Sequence, residues 1–302
     1  MLHNFGSINL DHFYRVSHLV RPGETLASRD YRVGLGGKGA NQSLAMARAG
    51  GRVSHWGRLH RQDAWARELL GQAGVDVAGI SLVEMPSGHA IIQVDDQGEN
   101  AILLFPGANH GFDEADLETR LSSTRPGDWL LAQNETNALP QVLEQAAERG
   151  LHVAFNPAPM GAEVMSLPLE RCALLFVNRG EAAWLAGVDE AATPEALLEG
   201  LGRRLPQTDT VLTLGGDGAW FQGGGERRFQ PALAVTPRDT TAAGDTFIGY
   251  YLTALQEGQP VADCLTLAAT AAALGVQVDG AAESIPHRDE VERAMRDAPI
   301  AR

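Results

Sequence analysis

The sequence predicts an α/β fold with a mostly parallel central sheet and a second, smaller β-sheet. Short apolar runs alternate with helical patterns along most of the chain, which is typical of parallel α/β sheets. Two pairs of strand patterns, at about residues 12–36 and 88–106, lack an intervening helix and therefore predict the smaller sheet. The length of 302 residues and the hydrophobic content of 44% suit either a single α/β domain with an insertion, spanning residues 1–302, or two domains.

The first predicted strand runs from Leu2 to Ile8 and is followed closely by Asn9 and Asp11. Ligands of open α/β sheets bind outside the carboxyl ends of the strands. Asn9 and Asp11 are therefore candidate ligand-binding residues. An aspartate in such a position also occurs as a simple turn residue, and the local pattern alone does not separate these two interpretations.

Four short strands are predicted outside the strand–helix alternation. The first pair brackets a turn at Pro22–Gly23, and the second pair brackets residues 96–98. The strands are Phe13–His18, Tyr31–Leu35, His89–Asp95 and Glu99–Phe105. A small sheet beside a ligand cleft suits a lid, because a closed lid excludes water from the reaction.

A glycine cluster at residues 34–42 opens the next helix. It satisfies the pattern G-x-G-x-x-G, but the next strand, Arg52–Trp56, has no acid at its tip, so a dinucleotide site is not favoured. Nor is it a Walker A loop, because Gly39 follows Lys38 where serine or threonine is required. The backbone N–H groups, the Asn41 amide and the ammonium of Lys38, the only lysine of the chain, suit a polyhydroxylated ligand.

The central strands repeat one arrangement, in which an apolar run ends in a polar tip and a helix follows. Two of the predicted helices are Ala64–Ala73 and Asn137–Arg149. The strands and their tips are Trp129–Ala132 with Glu135, His152–Phe155 with Asn156, Leu174–Val177 with Asn178 and Glu181, and Thr210–Leu214 with Gly215–Gly218. Because the carboxyl ends of parallel strands meet at one edge, the tips predict a single functional edge.

The stretch Arg238–Phe247 carries the strongest functional signal. Ala242, Ala243 and Gly244 lie where a helix begins, and their small side chains leave backbone N–H groups open to an anion such as a phosphate. Asp245 follows in the first helical turn. It is a candidate base that takes a proton from an alcohol while the N–H groups hold a phosphoryl group. A first-turn acid also occurs merely as a complement to the helix dipole.

Composition narrows the classes of partner. A formal net charge of −14 argues against nucleic acid and against an anionic membrane surface. Cys172 and Cys264 lie in apolar runs and are expected to be reduced core residues of a cytoplasmic protein. The first residues lack a signal-peptide pattern, and the apolar stretch Leu265–Val278 predicts a buried helix too short to span a bilayer. Histidine and cysteine show no metal-site spacing.

Three segments together resemble the ribokinase (PfkB) family of sugar kinases: residues 6–11, 36–42 and 239–247. Residues 107–109 and 156–159 are similar to family members that phosphorylate ribose. The resemblance implies a ribokinase-like three-layer α/β/α sandwich with a β-sheet lid. It also implies ATP-dependent phosphorylation of the primary hydroxyl of a free sugar, with D-ribose to D-ribose 5-phosphate as the first candidate.

The resemblance implies roles for individual residues. Asp245 would deprotonate the hydroxyl, and Ala242, Ala243 and Gly244 would bind the transferred phosphoryl group. The sugar-binding candidates are Asn9, Asp11, Gly37, Lys38, Asn41, Glu135 and Asp245. The nucleotide-binding candidates are Asn178, Thr213, Gly215, Gly216, Gly218 and Gly244. Glu181 would act on Mg²⁺ through water. The candidates for a K⁺ site, several through carbonyl groups, are Asp239, Thr241, Val276, Asp279, Gly280 and Ser284.

Some alternatives stay open. Residues 60–66 depart from the family pattern, because the usual Gly-Asp-x-x-Gly turn lacks both glycines, and we expect this to affect the loop and the choice of sugar rather than the reaction. Glu135 disfavours a sugar phosphate as acceptor by charge repulsion. Another family kinase, for deoxyribose, fructose or a nucleoside, and a non-catalytic binding regulator are the competing interpretations. The family also suggests a homodimer formed through the lid sheet.

Overall fold

A nine-stranded sheet forms the centre of the computed structural model, which describes residues 1–297. The strands of the protein are β1 Leu2–Phe5, β2 Asn9–Arg15, β3 Asp30–Gly36, β4 Val53–His60, β5 Ile80–Val83, β6 Gly88–Val94, β7 Asn100–Phe105, β8 Trp129–Gln133, β9 His152–Asn156, β10 Leu174–Asn178, β11 Asp209–Thr213, β12 Ala219–Gly223 and β13 Glu226–Gln230. The order in the large sheet is β13-β12-β11-β10-β9-β8-β1-β4-β5. Only β12 and β13 run antiparallel to their neighbours in this sheet.

The chain order places a topological switch point next to β1. Strand β1 is parallel to β4 on one side and to β8 on the other. The chain builds the β1–β4–β5 side first and then crosses to β8, from which it continues outward to β11. At such a point the connections on the two sides diverge and leave a crevice at the carboxyl ends of the strands, where open α/β sheets bind ligands.

The helices cover both faces of the large sheet. They are α1 Lys38–Arg48, α2 Ala64–Gln72, α3 Glu114–Leu121, α4 Leu139–Glu148, α5 Arg179–Ala186, α6 Pro194–Arg204, α7 Ala243–Gln256, α8 Val261–Gly275 and α9 Arg288–Asp297. One buried cluster packs the sheet against α1, α2, α7, α8 and α9, and a second packs it against α3 to α6. The α/β/α sandwich is therefore confirmed.

The small sheet has the order β3-β2-β6-β7 and stands apart from the large one. Only three residues separate β1 from β2, so the chain passes directly from the central crevice into this small sheet, the predicted lid sheet. Because side chains alternate along a strand, Asp11 and Phe13 lie on one face of β2 and His12 lies on the other. Phe13 stacks under the guanidinium of Arg32, at 3.9 Å from ring centroid to Cζ.

Several predicted boundaries were wrong. The first strand ends at Phe5 instead of Ile8, and residues 9–12, expected before the lid strand, already belong to it. Residues 57–60, predicted as a tip after the second main strand, continue β4, because they pair with β5, which the sequence did not reveal. The predicted buried helix at 265–278 belongs to α8, which begins at Val261 and ends at Gly275.

The unusual loop at residues 60–66 has an ordered structure of its own. A 3₁₀ turn at Arg61–Asp63 joins β4 directly to α2. The His60 N–H donates to the Ser87 hydroxyl (2.8 Å), which donates in turn to the Asp63 carboxylate (2.6 Å). Ser87 immediately precedes β6, so this loop is tied to the base of the lid sheet without the two glycines of the family pattern.

The two cysteines lie where the sequence predicts. Cys172 and Cys264 are buried with free thiols. Within residues 1–297, no helix combines the length and the hydropathy that crossing a bilayer would require. Gly224 and Gly225, which both have positive φ angles, form the tip of the hairpin between β12 and β13.

Candidate active site

Helix α7 begins in a strained turn with open space beside it. Ala242 has φ +58°, a left-handed conformation. The Ala243 N–H donates to the Thr240 carbonyl (3.2 Å), so the first turn offers the Gly244 and Asp245 N–H groups, which have no intrahelical acceptor at a helix start. Apart from its chain neighbours and the backbone of its own helix, no atom among residues 1–297 lies within 4 Å of a Cβ placed on Gly244. The positive end of the helix dipole therefore faces a space that an anion can enter.

Asp245 lies in the first turn of α7, with 8% of its surface exposed. Its two carboxylate oxygens each accept a hydrogen bond from α1, one from Asn41 Nδ2 (3.1 Å) and one from Gln42 Nε2 (2.8 Å). The two helices approach closely at Gly249, where a Cβ would lie 2.4 Å from the Cβ of Ala45. This close approach brings the amides of α1 within reach of the carboxylate.

Lys38 is the first residue of α1 and a partly buried cation of the same site. Burial alone would lower its pKa. The neighbouring carboxylates, led by Asp245 and Glu135, outweigh this effect and raise the pKa above its ordinary value. The ammonium group is therefore positively charged at neutral pH and can interact with an anion bound in this cavity.

Glu135 follows β8 and bridges the switch point to the loop after β1. Its Oε2 accepts hydrogen bonds from the Ser7 hydroxyl and from the Lys38 backbone N–H (3.0 Å). Ser7 Oγ also accepts from the Gly39 N–H (3.2 Å). The carboxylate thus fixes the start of α1 relative to both central strands. It joins residues from three parts of the sequence that lie about 30 to 130 positions apart.

Asp11 brings a carboxylate from the lid sheet to the crevice. A Cβ on Gly36 would lie 2.0 Å from Asp11 Oδ2, so only glycine on the paired strand leaves room for this side chain. Burial, followed by the charges of Glu135 and Glu283, raises the pKa of Asp11 to about 6. Asp11 is therefore mostly ionised at pH 7 and can accept hydrogen bonds from hydroxyl groups.

Gly37 and Asn9 occupy the junction of lid and helix. Gly37 is the N-cap of α1 with φ +88°, and a Cβ there would lie 2.8 Å from the backbone nitrogen of Asn9. The carbonyl oxygen of the Asn9 side chain accepts from Asn109 Nδ2 (2.8 Å), which also donates to the Ile8 carbonyl (3.3 Å). The Asn9 oxygen is therefore used within the protein, where it holds the start of β2.

Two cavities meet at the start of α7. A cavity of about 260 Å³ contains the side chains of Asp245, Lys38 and Glu181. A second, of about 310 Å³, has mainly apolar walls and the glycine loop after β11. Both are bordered by Thr213, Thr240, Ala243 and Gly244. Gly215, Gly216 and Gly218 line the second cavity. The charged cavity and the more apolar cavity thus share the start of α7, an arrangement that would bring two ligands together there.

Asn178 and Glu181 form a capping box at the start of α5. The Asn178 side-chain oxygen accepts from the Glu181 N–H (2.9 Å), and the two Glu181 oxygens accept from the Asn178 N–H and Nδ2 (2.9 Å each). Burial raises the pKa of Glu181, and the Asn178 N–H and the Lys38 charge partly offset this. A carboxylate fixed in this way keeps lone pairs for a metal-bound water, so these residues fit the expected magnesium site.

Asp239 is the centre of the residues assigned to K⁺. Its Oδ1 accepts from the Thr241 N–H (2.9 Å) and hydroxyl (2.6 Å), and its Oδ2 accepts from the Gly280 N–H (2.9 Å). The Asp239 N–H donates to the Val276 carbonyl (3.2 Å). Burial would raise the pKa of Asp239, but the hydrogen bonds that Thr241 and Gly280 donate to its carboxylate outweigh burial and lower the pKa.

The last two cation candidates lie in different places. The Ser284 carbonyl lies 3.5 Å from a Cβ placed on Gly275, the residue before Val276. The Asp279 side chain is exposed and pairs with Arg238, so Asp279 could contribute only through its backbone. One carboxylate and several carbonyl oxygens fit a large monovalent cation in donor type. The described residues hold no cluster of three His, Cys, Asp or Glu side chains that would suit another metal.

Comparison with known proteins decides the family. A family model for pfkB family carbohydrate kinases matches residues 1–288. This chain belongs to the pfkB family of carbohydrate kinases. The ribokinase of Haemophilus influenzae is 34% identical over 294 residues (94% of this chain and 95% of the relative). The ribokinase of Schizosaccharomyces pombe is 36% identical over 309 residues, with 95% of each chain covered.

The fold of this carbohydrate kinase is that of solved ribokinases. The structure of Arabidopsis thaliana ribokinase complexed with ribose and ATP matches with a TM-score of 0.87 and 28% identity, covering 98% of this chain and 99% of that one. As a member of the family, the protein is an ATP-dependent sugar kinase. Transfer of a phosphoryl group to an alcohol needs a base, an anion site and positioning rather than covalent chemistry.

Sequence reasoning missed several residues that shape the kinase site. Gln42 contacts the Asp245 carboxylate directly, yet it was not singled out beside Asn41. Ser7 and Gly36 support the two carboxylates Glu135 and Asp11. The available signal was the position of all three within the glycine-rich segments that carried the family resemblance. Their contacts, however, join segments distant in sequence, so no local pattern could assign them.

Proposed function

We propose that the protein transfers the γ-phosphoryl group of ATP to the primary hydroxyl of D-ribose and forms D-ribose 5-phosphate. One observation carries this proposal: a buried carboxylate, Asp245, lines the charged cavity at the helix start where that cavity meets the more apolar one. The choice of ribose is supported by the relatives named ribokinase and by the Arabidopsis neighbour that binds ribose and ATP.

In the proposed reaction, Asp245 accepts the proton of the sugar hydroxyl as its oxygen attacks the γ-phosphorus. The bond from phosphorus to the bridging oxygen of ADP breaks, and ADP leaves with that electron pair. The N–H groups at the start of α7, from Gly244 with Ala242 and Ala243 around it, hold the equatorial phosphoryl oxygens. Lys38 balances the developing charge.

The sugar is proposed to lie between the lid sheet and the switch point. Asp11 and Glu135 accept hydrogen bonds from its hydroxyls, Asn41 and Lys38 donate, and Gly37 allows close approach of the backbone. Two carboxylates, one from each side of the crevice, suit a neutral polyol and repel a sugar phosphate. The lid sheet excludes water, which would otherwise compete with the sugar as acceptor.

The nucleotide is proposed to occupy the more apolar cavity. Its base would contact the walls around Leu233 and Val235, and its phosphates would reach the loop formed by Gly215, Gly216 and Gly218, with Thr213 and Asn178 beside it. Mg²⁺ bound to the nucleotide shields phosphate charge, and Glu181 would hold one of its waters. The donor set around Asp239 supports K⁺ as an activator that stabilises the loop preceding α7.

We further propose that residues 1–302 form one kinase domain, that it acts in the cytoplasm and that it dimerises through the lid sheet. The free, buried thiols suit a reducing compartment. Strand β7 is an edge strand with four consecutive exposed apolar residues, Ile102 to Phe105. An exposed apolar edge of this kind is typical of a surface that another strand or sheet covers.

The proposal is tested by following ADP release with a panel of free sugars and nucleosides. D-ribose is expected to give the highest kcat/KM, and ³¹P NMR of the product is expected to show the phosphate on the 5-hydroxyl. Preference for fructose, deoxyribose or a nucleoside would support the kinase assignment but would overturn ribose as the acceptor. Binding of ribose and ATP without turnover would indicate the binding regulator instead.

A further inference from the structure

A row of buried carboxamides lies behind Asp245. Asp245 Oδ1 accepts a hydrogen bond from Gln42 Nε2 (2.8 Å), and Gln42 Oε1 accepts one from Gln133 Nε2 (2.6 Å). Gln133 Nε2 also donates to Asn4 Oδ1 (2.9 Å), and Asn4 Nδ2 donates to the Gly39 carbonyl (2.8 Å). Gln42, Gln133 and Asn4 are each 0% exposed. The row thus connects the base on α7 to α1 and to the central strands β1 and β8.

The hydrogen-bond partners determine which atom of each amide in this row is the nitrogen and which is the oxygen. A backbone carbonyl only accepts hydrogen bonds, so the Gly39 carbonyl orients the Asn4 nitrogen toward itself. The Asn4 oxygen then faces the Gln133 nitrogen, which also binds the Gln42 oxygen. The Gln42 nitrogen is left to face Asp245 Oδ1 (2.8 Å) and, at a longer 3.4 Å, Asn156 Oδ1. The shorter bond, to the carboxylate, satisfies a buried donor that would be costly if unpaired.

We propose that Gln42 is a positioning residue that fixes the orientation of the Asp245 carboxylate, and that Gln133 and Asn4 hold Gln42 in turn. The inference rests on the proposed function, in which Asp245 takes the proton of the sugar hydroxyl. Asn41, the partner of the other carboxylate oxygen, is a candidate sugar ligand. Gln42 therefore holds one oxygen in place while the other side of the carboxylate meets the substrate.

The expected effect of losing Gln42 is on turnover rather than on substrate affinity. Gln42 is fully buried, so it touches neither sugar nor nucleotide. Without it, Asn41 alone would hold the carboxylate, which could rotate away from the hydroxyl. A base acts only within hydrogen-bond reach of its proton. Displacement of reacting groups by about 1 Å costs on the order of 10²-fold in rate.

The test is a double-mutant cycle with Gln42→Leu and Asp245→Asn, read out as kcat and as the ribose Kd by calorimetry. Gln42→Leu is expected to lower kcat by about 10² with the ribose Kd changed less than about 3-fold. In the Asp245→Asn background the same change is expected to lower the residual kcat by less than about 3-fold, because the residue acts through the base. Gln42→Asn keeps an amide but is one methylene shorter, so it is expected to lower kcat similarly. It replaces the leucine variant in the cycle if that variant does not fold.

The control is Gln222→Leu on β12, which removes a half-buried amide that donates to the Leu198 carbonyl (2.9 Å) and accepts from Arg227 (2.7 Å), far from the proposed base. It is expected to leave kcat unchanged. Equal losses from Gln42→Leu in both backgrounds, or a loss confined to ribose affinity, would overturn the positioning role while leaving the base assignment intact. Near-normal turnover of Asp245→Asn alone would instead refute the proposed function.

Discussion

Asp245 and Lys38 place opposite charges in one cavity, and the geometry around each residue is different. The Asp245 carboxylate is held by two amides of α1, whereas Lys38 is surrounded by carboxylates that raise its pKa. The acid is thus oriented by neutral donors and stays available as a proton acceptor. The lysine stays charged and balances the acids around it.

Replacing Asp245 by Asn removes the proposed base but keeps the size of the side chain. We expect turnover to fall by about 10² to 10⁴-fold, the typical contribution of a general base, with ribose binding nearly unchanged. Steady-state kinetics and calorimetry measure the two quantities. Asp263→Asn, at an exposed first-turn acid of α8, is the matched control and should keep full activity. Turnover near the wild-type rate in Asp245→Asn would remove the assigned role.

The raised pKa of Asp11 predicts a pH dependence of sugar binding. Burial and the charges of Glu135 and Glu283 raise this pKa from 3.8 to about 6, against the opposing charges of Arg32 and Lys38. The stability linked to this group is therefore complete below the unfolded value of 3.8 and is lost as the pH rises through about 6. Sugar binding changes in the opposite sense, because only the ionised carboxylate accepts from two hydroxyls. We expect the ribose KM to fall as the pH rises through about 6.

Measuring the ribose KM across this pH range at saturating ATP checks the prediction. Asp11→Asn should raise the KM and flatten its pH dependence, because an amide does not ionise in that range. An unchanged pH profile in Asp11→Asn would show that a different group controls the affinity.

At the scale of secondary-structure elements, the site depends on the contact between α1 and α7. Gly249 allows this contact, since a Cβ there would lie 2.4 Å from the Cβ of Ala45. Gly249→Ala should force the helices apart, destabilise the protein by about 1–3 kcal/mol and lower kcat by moving the α1 amides away from Asp245. Thermal unfolding and kinetics measure both effects.

The matched control for that substitution lies in α2. A Cβ on Gly71 would make only ordinary contact, 3.6 Å from Val77 Cγ2. Gly71→Ala should therefore stabilise the protein by about 0.5–1 kcal/mol, as alanine does in a helix interior. Equal stability changes at the two glycines would contradict the importance of the α1–α7 contact.

The loops around Asp239 predict a response to monovalent cations. These loops connect the segment after β13 and the end of α8 to the start of α7. A bound K⁺ would stabilise that arrangement and hence the anion site at α7. We expect kcat/KM to be higher in KCl than in NaCl at equal ionic strength, and Asp239→Asn to reduce the difference. Equal rates in both salts would remove the cation assignment.

At the scale of the whole molecule, the proposed dimer depends on the exposed edge of the lid sheet. Leu103 on edge strand β7 is 67% exposed, and its neighbours in the strand are also apolar and exposed. Leu103→Glu should weaken the proposed dimer, because it places a charge in an apolar interface. Sedimentation velocity should show a shift toward monomer. Trp184→Glu, an equally polar change at an exposed aromatic residue of α5, should leave the dimer intact. A wild-type protein that sediments as a monomer would end this proposal.

Much of the architecture was predictable, since each part of the prediction rested on local chemistry. The alternation of strands and helices, the helix start at Ala243 and the pairs of lid strands follow from apolar periodicity and glycine positions. The boundaries were less predictable. Strand β4 continues to His60 because β5 pairs with it, and no residue near position 60 encodes the presence of β5.

The sequence by itself determined the fold class, the helix start that carries Asp245 and the family, because these depend on residues that are neighbours in the chain. Only the tertiary structure decided which amides hold Asp245, why Gly36 and Gly249 are glycines and how Glu135 joins α1 to the switch point. These contacts link residues up to about 200 positions apart. Their partners are set by the packing of sheet and helices, which no local pattern contains.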